Sequence, residues 1–293
     1  MHPHWRSDEI PDLTDLNAVV TGAGRETGRL IIQRLAEHGA NVYAISRDEL
    51  PKDRFGANVE PVRINPTNMS SIQKGAARIS DEVGHVDIFI HAATTSIAPR
   101  FRTAEGHDLM LATNYLGFVM LTHQLAPAMR RSASPRVVLS GPGDPLDADL
   151  DLDRLDADAD QPWDVLYTQS RIAAMIFALE LNCRATRSRM PLLSAVAEAN
   201  DPVVELHHPI RRATRQLMSI LNGAPKDVPA LPTLFASTST TATGGTYYAA
   251  SGRGRLVAEP LPAKVSTCAA SDALRTELWQ RTERMLGVQL DVA

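Results

Sequence analysis

The chain has 293 residues, 44% of them hydrophobic and 22% charged, the composition of an ordinary soluble globular protein long enough to bury a core without disulfides or metals. A formal net charge of −4 provides no basic footprint, so nucleic acid is not an expected partner. Cys183 and Cys268 have no metal or redox spacing, His2–Asp8 has no apolar signal region, and no run of about 18 apolar residues occurs. A cytoplasmic protein without a membrane span is expected.

The first elements alternate strand and helix. Asn17–Thr21 reads as a buried strand ending in a glycine turn, and residues 28–38 carry Leu30, Ile31, Leu35 and Ala36 at helical spacing up to Gly39. Val42–Ser46 is the next strand, so the opening unit is βαβ. That unit implies a doubly wound parallel sheet with helices on both faces. Val59–Ile64 (strand), 69–82 (helix), Val86–His91 (strand) and roughly 105–130 (helix) continue the pattern. Arg136–Leu139 is a fifth strand, 164–186 a strongly apolar helix, Leu192–Val196 a sixth strand, Thr246–Ala249 a late strand and 271–286 a terminal amphipathic helix. The expected organisation is a tail over 1–14 and one α/β domain over 15–293.

Two segments interrupt the rhythm. Residues 144–164 are crowded with aspartates, including Asp144, Asp147, Asp149, Asp151 and Asp153, but lack the glycine and terminal glutamate of a calcium loop. They read as a solvated insertion that caps the following helix, with no metal site. Residues 222–245 are rich in Pro, Thr, Ser and Gly and read as an irregular surface connection. The wider stretch 199–245 is expected to supply a substrate lid and pocket.

Thr21-Gly22-Ala23-Gly24-Arg25-Glu26-Thr27-Gly28 lies between the first strand and first helix, where a tight turn presents backbone N–H groups and a helix N-terminus to a diphosphate. Arg47 follows the second strand, where an acidic residue would accept from a ribose 2′-hydroxyl and an arginine suits a 2′-phosphate; Asp48 follows it directly. Tyr167 and Arg171 are four residues apart and share one face of the apolar helix.

Together these motifs resemble the short-chain dehydrogenase/reductases, in particular the retinol dehydrogenase and WW-domain oxidoreductase branch. The glycine turn is similar to Thr-Gly-x-x-x-Gly-x-Gly, Tyr167 to Arg171 to Tyr-x-x-x-Lys, and Asn114 to Thr122, Gly223 to Ala236, Gly245 to Tyr248 and Leu278-Trp279 follow the branch. The likeness spans roughly 15–288. It implies an NADP(H)-dependent oxidoreductase acting on a small hydrophobic carbonyl or alcohol, assembled as a homo-oligomer through its long helices. It also implies that Tyr167 is the general acid/base, Arg171 its cationic partner, Ser140 the substrate-orienting hydroxyl and Asn114 the holder of a relay water. Gly22, Gly24, Arg25 and Gly28 would hold the diphosphate, Arg47 the adenosine ribose, Asn65 the adenine, and His91 and Ala92 the cofactor beside the fourth strand.

The sequence departs from that pattern at ligand-facing positions. Glu26 replaces the middle glycine, so that either the turn shifts and Glu26 points outward or dinucleotide affinity is low. Arg171 replaces lysine, Ser140-Gly141 replaces a serine pair, Asn65-Pro66 stands where an aspartate is usual, and His91-Ala92-Ala93-Thr94 replaces Asn-Asn-Ala-Gly. Two other readings therefore stand beside the reductase: the scaffold turned to cyclisation, dehydration or isomerisation with the cofactor lost or structural, and a non-catalytic partner protein.

Overall fold

β1 (Asn17–Thr21) is buried along its whole length, as expected of a strand covered on both faces. The computed structural model describes residues 5–96, 101–141, 149–155, 161–199, 228–250, 260–263 and 271–291. After β1 come α1 (Glu26–Glu37), β2 (Asn41–Ser46), β3 (Val59–Arg63), α2 (Met69–Val83) and β4 (Ile88–His91). The chain continues through α3 (Leu109–Leu111), a π-helical turn (Ala112–Leu116) and α4 (Gly117–Met129), then β5 (Arg136–Gly141), α5 (Trp163–Ser188) and β6 (Leu193–Glu198). It closes with α6 (Leu231–Thr238), β7 (Tyr247–Ala250), β8 (Pro260–Ala263) and α7 (Asp272–Leu286).

The strands form one sheet in the order β3-β2-β1-β4-β5-β6-β7-β8, parallel except for the antiparallel β7–β8 pair. This is the doubly wound parallel sheet expected from the βαβ rhythm. The order reverses between β1 and β4, which opens a crevice at their C-terminal ends.

Alternation along the strands sorts side chains into two cores. Val19, Phe89, Val137, Leu139 and Val196 pack with residues of α2, α4, α5 and α7 on one face. Ala18, Val20, Ile90, Val138, Ala195 and Ala197 pack with residues of α1 and α6 on the other. Helix ends follow local chemistry: the Asn68 side chain accepts from the Ser71 N–H at the start of α2, the Ser271 side chain does the same for Leu274 in α7, and Gly84 and Gly287 end those helices at φ +71° and +65°.

Four local expectations are corrected. The helix expected over 105–130 begins at Leu109 and is interrupted by the π-helical turn that holds Asn114. α5 begins after Pro162 with no side-chain cap, and within the acidic segment Leu150, Leu152 and Leu155 are buried in the α5 core. The aspartates at 149, 151 and 153 take the outward positions of that alternation; Asp144 and Asp147 lie outside the described residues. The irregular connection over 222–245 contains α6. β8 was not anticipated: two prolines in Pro260-Leu261-Pro262-Ala263 are tolerated only because the strand forms a sheet edge.

α5 is apolar around its circumference, and α7 covers it from outside. Trp279 stacks on Phe177 at 5.2 Å, Arg184 lies over the Trp279 ring at 3.9 Å, and the buried Glu180 pairs with both Arg184 and Arg275. Removing the indole should leave a cavity against Phe177, so Trp279→Ala is expected to cost about 3–5 kcal/mol in urea unfolding. The exposed Leu261→Ser should stay within about 0.5 kcal/mol.

Candidate active site

Thr21 ties the ends of β1 and β4 together. Its Oγ1 accepts from the Ala92 and Ala93 N–H groups, both at 3.0 Å, and lies 3.1 Å from His91 Nδ1. With both lone pairs engaged, the hydroxyl hydrogen goes to Nδ1, which assigns His91 the Nε2–H tautomer. His91 is fully buried and stacked on Phe118. Burial, and then the positive charge of Arg171, push its pKa down to about 3, only partly opposed by the Thr113 and Ala93 backbone. The imidazole is therefore turned into the core, on the α4/α5 face.

Two glycines of the turn are sterically required. Gly22 has φ +81° and a Cβ there would lie 2.7 Å from the Ala92 carbonyl oxygen; a Cβ on Gly28 would lie 2.2 Å from the Gly22 oxygen. Gly24 has room, its nearest neighbour being Ser46 Oγ at 3.7 Å. α1 follows with no side-chain cap from Arg25, so its N-terminal amides face the crevice without a protein side chain to satisfy them. Glu26 is exposed and lines the groove on the far side of α1 with Arg29 and Gln33, which matches the outward-pointing alternative.

At the switch point lies a cleft of about 440 Å³ lined by Gly22, Gly24, Arg25, Arg47, Asn65 and Thr94, among others. Arg47 is exposed at its rim beside Asp48. Asn65 caps its own turn, its Oδ1 accepting from the N–H and hydroxyl of Thr67. Of the eight residues expected at the cofactor, five meet here. Gly28 is packed beneath the turn, His91 faces the core, and Ala92 lines a second space.

That second space is a crevice of about 10 Å³ at the end of β5, bounded by Arg25, Ser140, Gly141, Tyr167 and Arg171. Arg25 spans the two spaces, its Nη2 donating to the Thr94 carbonyl at 3.1 Å. Strand alternation separates the two residues after Leu139. Ser140 follows Val138 toward α6, where its hydroxyl meets Thr233 Oγ1 at 3.0 Å, while a Cβ on Gly141 would lie 2.9 Å from Arg171 Nη2. Ser140 borders the crevice, but its hydroxyl is engaged on the opposite face of the sheet from Arg171. Arg171 is buried and donates from Nη2 to the Ser140 carbonyl at 3.0 Å.

Asn114 is saturated. Its Nδ2 donates to the Thr95 carbonyl and to Ser170 Oγ, both at 3.0 Å, and its Oδ1 accepts from the Thr95 N–H at 2.8 Å and the Thr94 hydroxyl at 3.3 Å. All four hydrogen-bonding positions of the amide are thus engaged, clamping the loop after β4 to α5. The sequence motifs include Thr21 and Thr94 without assigning them a role, and they assign none to Thr95, Ser170 or Thr233. A cluster of hydroxyls after strand ends was the available signal, but which partner each takes depends on the fold.

The family model for short chain dehydrogenases matches residues 16–141. The chain is 28% identical over 195 residues to a short-chain dehydrogenase/reductase of Armillaria gallica, covering 61% of this chain and 63% of that one. It is 28% identical over 182 residues to retinol dehydrogenase 13 of Mus musculus, covering 57% and 53%. The chain thus matches less than two thirds of the length of these curated relatives. Among solved structures, a protein from Mycobacterium paratuberculosis superposes with a TM-score of 0.79 at 22% identity, covering 98% of this chain and 99% of that one. Ligand-free aldohexose dehydrogenase of Thermoplasma acidophilum gives 0.58 at 18% identity, covering 82% and 94%; both show likeness of fold. Over residues 16–141, a little under half of the chain, the sequence carries the short chain dehydrogenase pattern. Its similarity extends to the retinol dehydrogenase branch. Among the described residues no helix is long and apolar enough to cross a membrane.

Two outcomes follow from this geometry. Gly28→Ala should destabilise the protein by about 1–3 kcal/mol while Gly24→Ala stays near neutral, read from denaturant midpoints. Because the fold keeps His91 neutral, the unfolded chain binds a proton that the native state does not as pH falls from about 6.5 toward 3. Stability is therefore lost on acidification by about 1.4 kcal/mol per pH unit from this group, and His91→Asn should remove that increment from the slope measured between pH 6 and 4.5.

Proposed function

We propose that the chain is an NADP(H)-dependent oxidoreductase interconverting a small carbonyl compound and its alcohol. The observation that carries this reading is the switch-point cleft, which has the glycine turn on one wall and Arg47 at its rim and meets, across Arg25, the crevice that holds Tyr167 and Arg171. The residues fit the adenosine and diphosphate half of a dinucleotide: Gly22, Gly24 and the uncapped start of α1 offer amides to the diphosphate, Arg25 and Arg47 offer charge to a 2′-phosphate, and Asn65 flanks the base. The crevice end is narrower, and a ligand reaching it displaces the Arg25–Thr94 contact.

Bound NADP(H) supplies the hydride. Tyr167 gives its hydroxyl proton to the carbonyl oxygen, or takes one from the alcohol in the reverse direction. Arg171, one helical turn on, favours the phenolate by its charge, and it cannot pass a proton because a guanidinium stays protonated. Asn114 acts through position, holding Thr94 and Thr95 against α5. In this reading the protein works in the cytoplasm, and a homo-oligomer uses a face other than the one α7 covers on α5.

Saturation with NADPH at about 100 times Kd should raise the melting temperature by roughly 5–10 °C. Arg47→Asp should weaken NADPH binding about tenfold with no loss toward NADH. Tyr167→Phe should lower turnover by about 10²–10⁴-fold without altering NADPH binding. Absence of any NADPH-dependent shift overturns the redox reading.

A further inference from the structure

Resting on the reductase reading and narrowing its substrate class, we propose that Arg171 is a carboxylate-binding residue and that the substrate is a short-chain oxo acid or the matching hydroxy acid. The guanidinium is 3% exposed, and its Nη2 is satisfied by the Ser140 carbonyl. Its Nε and Nη1 are buried with no hydrogen-bond partner, and it takes part in no ion pair among the described residues. Nε carries one N–H and Nη1 carries two, so three donors of a permanently charged group are buried without a partner on a residue that borders the crevice. A buried, unpaired charge is strongly unfavourable unless an anion meets it.

The lining points the same way. Two guanidiniums, Arg25 and Arg171, border the crevice and no described carboxylate does. His91, which feels the Arg171 charge from the core, is held neutral and contributes no negative charge. The two departures from the family motif at this spot also touch each other. A Cβ at position 141 would lie 2.9 Å from Nη2, so the glycine leaves the room that the larger arginine head occupies. The exchange of lysine for arginine and of serine for glycine is thus one spatial change, which puts a planar, multi-donor cation beside the catalytic tyrosine. Such a head suits a carboxylate better than an ammonium does.

Tyr167 is one helical turn from Arg171, so a carboxylate held by the guanidinium brings the carbonyl of a short oxo acid toward the phenol. Reduction then adds the hydride of NADPH to the carbonyl carbon and the Tyr167 proton to its oxygen as the C=O π bond breaks, leaving the carboxylate unchanged. The crevice as it stands has room for about one water, so an acid enters only when Arg25 leaves Thr94 and the walls part.

The test is calorimetric titration of the full chain, with and without NADPH at constant ionic strength, using acetoacetate, methyl acetoacetate and inorganic phosphate. The expected result is a preference for acetoacetate over its ester of about tenfold or more, lost in Arg171→Met and partly kept in Arg171→Lys. Arg171→Met should melt no lower than the parent, because it removes an unpaired buried charge; a large fall in its melting temperature would mark a structural role and overturn the proposal. Equal binding of acid and ester, a preference that survives in Arg171→Met, or phosphate binding as tightly as acetoacetate would overturn it too. Acid selectivity without NADPH binding sinks the reductase reading and leaves the anion site standing. NADPH binding without acid selectivity does the reverse.

Discussion

In a strand buried on both faces, consecutive side chains must serve two different cores, and this alternation governs the rest of the molecule. On the α1/α6 side the sheet presents alanines and valines, Ala18, Ala195 and Ala197 among them, and on the α4/α5 side it presents Phe89 and Leu139. The same alternation continues past the core into the loops. His91 follows Phe89 into the α4/α5 layer, and Ser140 follows Val138 toward α6, so the register of the residues near each strand's end decides which compartment receives a polar group.

The site is built where the strands stop, and its two ends differ in character. Around the glycine turn the walls are backbone and short polar side chains, with space left open between them. Around Tyr167 the space is filled by arginine, and the polar groups are drawn into the protein's own contacts: Asn114 into the loop after β4, Ser140 into Thr233, and Arg25 into the Thr94 carbonyl. The sheet keeps the architecture of the solved structures it resembles, while the residues around Tyr167 depart from the motif that the sequence otherwise follows.

Much of the fold was legible because it depends on periodicity. The β1–α1–β2 unit and α2, α5 and α7 lie within a few residues of their expected bounds, since apolar spacing and capping residues such as Asn68 and Ser271 act locally. β8 was hidden because Pro260 and Pro262 argue against a strand until its edge position is known. The burial of Leu150, Leu152 and Leu155 was masked by the aspartates between them, which set the average character of that segment. In the site, the residue types were legible and their directions were not. The side on which Ser140 points, the outward turn of Glu26 and the bond from Arg25 to Thr94 are consequences of tertiary neighbours that no short motif encodes.

α7 also reaches the site's own supporting helix. Tyr115, next to Asn114 in the π-helical turn, hydrogen-bonds to Thr282, whose hydroxyl is itself spent on the Leu278 carbonyl, so the phenol is the donor. α7 follows every strand of the sheet in the chain, so until it is made the outer apolar face of α5 and the Tyr115 hydroxyl lack their native partners. The strand pairings of the sheet do not involve α7, so the layer that carries Asn114 and Tyr167 can be completed after the strands it rests on.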